Sequence, residues 1–221
     1  HEINNPITGV INCAQLLLDR GCEDCGERDI INRIIKEGRR IASIVSKLLS
    51  FARPGDRNEE RMDISISEIL LDTLILTKAQ LRNDDIQIKL NISQNLPRIL
   101  AHAQQIQQVF LNIISNARYA LNEKYPGAHD NKIIEILDEE VIMDNCSSIK
   151  VTFHDHGAGI PANLKDKVMN PFFTTKPPGK GTGLGLSISH NIIREHSGKL
   201  VIDSIEGEFT RVSIILPVKP R

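Results

Sequence analysis

Two amphipathic helical stripes open the chain and limit what it can fold into. Ile3, Ile7, Val10, Ile11, Ala14, Leu17 and Leu18 recur at three- and four-residue intervals, giving one broad apolar stripe over residues 3–18. Asp19 to Glu27 is polar and carries Gly21 and Gly26, which predicts a turn. A second stripe follows with Ile31, Ile34, Gly38, Ile41, Val45, Leu48 and Ala52, widened by Ile30, Ile35, Ile44 and Leu49. Faces this wide exceed what two helices can bury against each other. A second copy of the hairpin would complete a four-helix bundle, so a homodimer through the hairpin is expected. The competing arrangement docks the hairpin on the rest of its own chain.

Arg53-Pro54-Gly55-Asp56 stops the second helix and starts a hinge-like linker. The expected division is therefore a helical hairpin over 1–53, a linker over 54–60 and a second domain over 61–221. In that second domain helices are predicted at 67–81, 103–121 and 186–196. Strands are predicted at 86–92, 133–137, 149–154, 200–204 and 212–216. The fold class is thus α+β: a helical bundle followed by an α/β sandwich whose mixed sheet is covered on one face by helices. Residues 125–131 read as a loop, and 138–148 as an acidic hairpin connection.

Charge and hydropathy narrow the partners. A net charge of −1 gives no basic field for nucleic acid. No apolar run is long enough to span a bilayer, so no membrane contact is expected of these residues. The expected location is the cytoplasm. The sequence starts without Met and inside a helical pattern, so a longer protein with a sensor or anchor upstream is expected. Cys13, Cys22, Cys25 and Cys146 make no disulfide framework in a chain of this size. Cys22 and Cys25 have C-x-x-C spacing but no second ligand pair, and read as two incidental thiols in a polar loop.

The glycines carry more information. Asp155-His156-Gly157-Ala158-Gly159 follows an apolar strand, and Gly179-Lys180-Gly181-Thr182-Gly183-Leu184-Gly185 opens a helix. Backbone N–H groups of such a run can close around phosphate oxygens, assisted by the helix dipole. The run has neither the order of a P-loop nor the preceding strand of a dinucleotide fingerprint, and a flexible loop is its other reading. Asn112 and Asn116 stand four apart on one helix face among apolar neighbours. Asn is a poor helix-interior residue, so the pair needs a reason. A neutral oxygen facing Mg²⁺ is one, because Mg²⁺ keeps few protein ligands; an ordinary solvent-facing pair is the other.

Taken in order, the Asn-bearing helix, the strand ending in D-x-G-x-G, Pro171-Phe172-Phe173 and G-x-G-x-G-L resemble the ATP-binding domain of histidine kinases and related gyrase, chaperone and mismatch-repair ATPases. The resemblance spans about residues 60–217 and implies a Bergerat-type ATPase fold that uses ATP and Mg²⁺. It implies that Asp155 accepts a hydrogen bond from the adenine amino group. Asn116 becomes the main Mg²⁺ ligand, with Asn112 supporting the phosphates. Gly157 and Gly159 let the chain pass close to the base, and Gly181, Thr182, Gly183, Leu184 and Gly185 wrap the triphosphate. Lys176 and Lys180 would neutralise γ-phosphate charge, although solvated surface lysines are their alternative. Phe172 and Phe173 are either ordinary core or parts that position a mobile lid. Gly207-Glu208-Phe209-Thr210 departs from the family's G-x-G-T.

His1-Glu2-Ile3-Asn4-Asn5-Pro6 resembles the phosphoacceptor box of histidine kinases, which gyrase-type ATPases lack. Neutral imidazole offers a nucleophilic nitrogen, and Glu2 can hold the proton on the opposite ring nitrogen. Asn5 lies one helical turn from His1, where the family places a residue that orients water for phosphate removal. Pro6 should bend the helix just after the acceptor. The resemblance implies a protein-histidine kinase that autophosphorylates His1 and passes the phosphoryl group to an Asp of a response-regulator receiver domain, and that can also act as its phosphatase. The continuous run from Pro171 to Ser187 looks most like the nitrogen-regulation type.

Overall fold

A computed structural model of the chain describes residues 4–19, 25–52, 61–93, 95–177 and 181–218. The backbone divides into two compact units, His1–Asp56 and Arg57–Arg221. In the first, α1 (Asn4–Asp19) and α2 (Cys25–Ala52) form a hairpin. Its interior is small: Ala14, Ile31 and Ile35 are buried, with Ile11 and Leu18 packed against them. At Gly38 a Cβ would lie 2.7 Å from Ile11 Cγ1, so the missing side chain lets the helices approach there. Among the described residues Val10, Leu17, Ile30, Ile34 and Ile41 are exposed at helical spacing, an apolar stripe on the hairpin. Pro6 lies in the first described turn of α1. The bend expected beside His1, the pair Cys22 and Cys25 as a unit, and the linker 54–60 involve positions outside the described residues. No described helix is long and apolar enough to cross a membrane.

The second unit is a mixed sheet with helices on one side. β1 (Met62–Ile64) and β3 (Ile99–Ala101) pair antiparallel as a separate ribbon. Between them lie α3 (Ile66–Asn83), whose N-cap Ser65 accepts from the Glu68 N–H at 3.3 Å, and β2 (Gln87–Asn91). Then follow α4 (Ala103–Lys124), β4 (Ile133–Met143), β5 (Cys146–Asp155), α5 (Gly185–Glu195), β6 (Lys199–Ile205) and β7 (Phe209–Pro217). The main sheet runs β2-β4-β5-β7-β6, with β2 parallel to β4 and the other pairs antiparallel. Period-two burial sets its faces. Ile134, Ile136, Val151, Phe153, Ile214 and Leu216 are buried in the core, where Phe153 meets Phe110 of α4 at 5.5 Å between rings. α4 and α5 lie on this face and α3 packs on α4.

Residues 138–148 are not a loose connection. β4 and β5 pair without a break from Ile134↔Asp155 to Met143↔Cys146. Asp144 and Asn145 turn the chain with φ of 50° and 61°, the doubly left-handed geometry that suits twisted strands. Buried Asp138 accepts from the Ser93 N–H at 2.6 Å and from Ser67 Oγ at 3.1 Å, and Glu139 meets Lys150 at 2.9 Å. Asp138 is thus tied to the segment after β2 and to α3, and Glu139 to its register partner Lys150.

Candidate functional site

β5 ends in Asp155, which shares the core-facing side with its register partners Ile134 and Thr210 and is only 5% exposed. The Gly157 N–H donates to Asp155 Oδ1 at 2.9 Å. Burial pushes the Asp155 carboxyl up to about 7, opposed by the Gly157 N–H, the Lys124 charge and the Thr210 backbone. Lys124, at the end of α4, donates to the carbonyls of His156 at 2.9 Å and Glu208 at 3.1 Å, tying the loop after β5 to the turn before β7.

The two glycines here answer steric demands of the loop itself. A Cβ on Gly157 would stand 2.7 Å from Ala120 Cβ and from Asp155 Oδ1. Gly159 has φ of 69°, and a Cβ there would collide with the Ile205 carbonyl. The loop can therefore lie against α4 and under the β6–β7 turn only with glycine at both positions.

α4 carries the asparagines one turn apart, and their partners differ. Asn112 Nδ2 donates to the Gly185 carbonyl and to Ser189 Oγ, each at 3.3 Å, fastening α4 to the first turn of α5. Asn116 Oδ1 accepts from Lys176 Nζ at 2.9 Å, and that ammonium lies 4.4 Å over the Tyr119 ring. A cation thus already sits on the oxygen expected to meet a metal.

Around this point the glycine run packs tightly. A Cβ on Gly181 would be 2.6 Å from Thr174 Oγ1. Gly183 has φ of 68° and leaves room for the backbone of Phe172. Thr182 is half-buried, Leu184 is fully buried as an anchor, and Gly185 opens α5. Phe172 is not core: it is 61% exposed and holds φ of 66°, an uncommon conformation for a bulky residue.

Asp155, Gly157 and Gly159 thus gather at one strand end, while Asn112, Asn116, Lys176 and Gly181 to Gly185 gather along α4. Lys180, His1 and Glu2 lie outside the described residues, and Asn5 lies in the first turn of α1, in the other unit. Tyr119 and Lys124 also contact this region, Tyr119 under the Lys176 ammonium and Lys124 on the His156 carbonyl. Tyr119 stands three residues after Asn116 and Lys124 eight after it, so helical spacing alone puts them near that face.

Residues 101–220, over half the chain, match the family described as histidine kinase-, DNA gyrase B-, and HSP90-like ATPase, and residues 1–57 match the His Kinase A (phospho-acceptor) domain. Sporulation kinase E of Bacillus subtilis (strain 168) is 32% identical, covering 99% of this chain and 28% of that protein. The sensory histidine kinase/phosphatase NtrB of Vibrio alginolyticus is 32% identical, covering 99% of this chain and 60% of that protein. The chain spans between 23% and 60% of the length of the first curated relatives it matches. Among solved structures, histidine kinase ThkA in complex with response regulator protein TrrA matches with TM-score 0.66 and 26% identity, covering 99% of this chain and 59% of that one. Full-length ShkA in complex with AMPPNP matches 100% of this chain and 45% of that one, with TM-score 0.77; at 22% identity this is a likeness of fold. With a phospho-acceptor domain followed by an ATPase domain of this class, the chain belongs to the sensor histidine kinase family.

Proposed function

We propose that this chain is the core of an ATP-dependent protein-histidine kinase that phosphorylates His1 and hands the phosphoryl group to an Asp of a response-regulator receiver domain. The observation that carries the reading is the pairing, in one unit, of a buried acceptor carboxylate with a helix oxygen that already binds a cation. Asp155 Oδ1 accepts from the Gly157 N–H and the Thr210 backbone also acts on the carboxyl, which would in addition accept the adenine amino group. Asn116 Oδ1, now holding the Lys176 ammonium, suits a hard cation such as Mg²⁺. Mg²⁺ supplies charge neutralisation on the phosphates. Lys176, once released, and Lys180 are placed in sequence to meet γ-phosphate oxygens, while Gly181, Thr182, Gly183, Leu184 and Gly185 line the triphosphate. Asn112 supports this arrangement by holding α5 to α4.

In the transfer a ring nitrogen of His1 forms the bond to the γ-phosphorus, the bond to the β–γ bridging oxygen breaks, and ADP leaves. Glu2 takes the proton from the opposite ring nitrogen. Asn5 orients water in the reverse task of clearing phosphate from the receiver Asp. The exposed stripe of Val10, Leu17, Ile30, Ile34 and Ile41 supports a homodimer through the hairpin. The similarity to NtrB, of which this chain covers 60%, together with the short segment from Pro171 to Ser187, favours the nitrogen-regulation type with a phosphatase activity.

The test is incubation with γ-labelled ATP and Mg²⁺, in a form extended upstream of His1 so that the acceptor is not a chain terminus. Acid-labile, alkali-stable label that vanishes in His1→Gln is expected. Label that persists in His1→Gln overturns the assignment, and tight ATP binding without label points instead to a nucleotide-sensing scaffold.

A further inference from the structure

The outer face of the sheet carries a polar row that the nucleotide reading does not use. Lys89, Glu135, His154, Arg211 and Asp203 are successive register partners across all five strands. His156 stands two residues beyond His154 and shares its face, with the two imidazole centroids 4.7 Å apart. Glu135 reaches both rings: Oε2 is 3.5 Å from His154 Nδ1, and Oε1 is 3.6 Å from His156 Nε2. One donor atom from each of the three residues lies within 4.8 Å of the others.

Two features distinguish this trio from an ordinary surface pair. Nε2 of His156, which faces Glu135 Oε1 at 3.6 Å, is buried without a hydrogen bond, whereas buried polar atoms in native proteins are nearly always satisfied. The spacing is also that of a coordination shell. Two ligands of a tetrahedral zinc ion, each about 2.0–2.2 Å from it, stand roughly 3.3–3.6 Å apart. The Oε2–His154 Nδ1 and Oε1–His156 Nε2 separations each fall close to this range through different carboxylate oxygens, and small side-chain rotations bring one Glu135 oxygen, His154 Nδ1 and His156 Nε2 onto a single ion.

The electrostatics allow it. Neutral imidazole is the ligating form, and burial, followed by the charges of His156 and Arg211, holds His154 below the usual histidine range against the pull of Glu135. Arg211 is drawn off by Asp203 at 3.6 Å and lies over the Phe209 ring. The Lys89 side chain is 60% exposed, with Nζ 3.9 Å from Glu135 Oε1, so it can turn into water as an ion arrives. Glu135 and His156 keep about a third of their side-chain surface open, which gives an entry path.

We propose that Glu135, His154 and His156 form a site for one divalent transition-metal ion of the zinc kind, with a water in the fourth position. Two imidazoles and one carboxylate form a ligand set that zinc uses with an open position. The site lies on the face of β5 opposite Asp155 and stands or falls independently of the kinase reading.

Zinc chloride alone, titrated into the full ¹⁵N-labelled chain under reducing conditions, tests this through the histidine ring nitrogens. The His154 and His156 signals should change together and saturate at one equivalent. By calorimetry, Glu135→Gln should weaken binding at least about tenfold, since even outer-sphere partners of zinc ligands are worth that much. Changes confined to His1 or other histidines, or affinity unaltered in Glu135→Gln, would overturn the site. The wild-type spectrum decides the matter alone should a variant not fold.

Discussion

The Asp155 carboxyl makes the protein's stability depend on pH in a way that one substitution should erase. Its folded value is raised from 3.8 to about 7, chiefly by burial. Between those values the folded chain holds a proton that the unfolded chain has released, so this group's stabilisation is complete at low pH and is lost as pH rises through about 7. Integrating proton uptake between about pH 5.5 and about pH 8 gives a loss of about 2 kcal/mol from this one group. Asp155→Asn removes the titration while keeping an oxygen for the Gly157 N–H, so wild type minus variant should fall by about 2 kcal/mol over that interval. The chain has no Trp and two Tyr, Tyr119 and Tyr125, both in the second unit, so tyrosine fluorescence in urea reports on that unit alone. Buried His196 and partly buried His154, both shifted down, titrate in both proteins and cancel. Parallel stability–pH curves for the two proteins would refute the reasoning, because they would mean that Asp155 is not held protonated by burial.

Other outcomes follow from the same geometry. Gly159→Ala forces a left-handed conformation and a collision with the Ile205 carbonyl, and should cost about 2–4 kcal/mol in urea unfolding. Asn145→Gly relieves a left-handed Asn in the β4–β5 turn and should raise stability by about 0.5–1 kcal/mol, read by the same melt. Asn116→Asp converts the Lys176 hydrogen bond into an ion pair and should abolish phosphorylation while circular dichroism and the oligomeric state stay unchanged. Loss of the dimer in that variant would place Asn116 in the architecture instead of the site.

Long-period features were the readable ones. The stripes of α1 and α2, and the runs that became α3, α4 and α5, repeat over enough residues for periodicity to show. β1 and β3 are three residues each, too short for alternation to register, and exist because they pair with each other. The acidic hairpin connection at 138–148 was legible, but not that β4 and β5 continue through it: Glu139 needs Lys150 opposite it, a fact of register that composition does not carry. At the site, Asp155 and its glycines were visible as a spaced motif. The tie from Asn112 to Gly185 and Ser189 was not, since it joins residues more than seventy apart. Phe172 misleads for a related reason: a hydrophobic residue beside Phe173 looks like core, but the close passage of its backbone under Gly183 turns its ring outward.

The ammonium of Lys176 on Asn116 Oδ1 bears on how the site is filled. Under the proposed function, the metal and the lysine compete for one oxygen, so loading is a swap and not a simple addition. An ion held by Asn116 would displace the Lys176 ammonium, and that charge would then be available to phosphate oxygens. A nucleotide without its metal would leave the lysine on Asn116, and a metal without nucleotide would displace it from that oxygen without offering it phosphate oxygens. Each ingredient alone therefore meets a penalty that the two together do not. On that reading the site would act as a coincidence detector, favouring the metal–nucleotide pair over either member by itself.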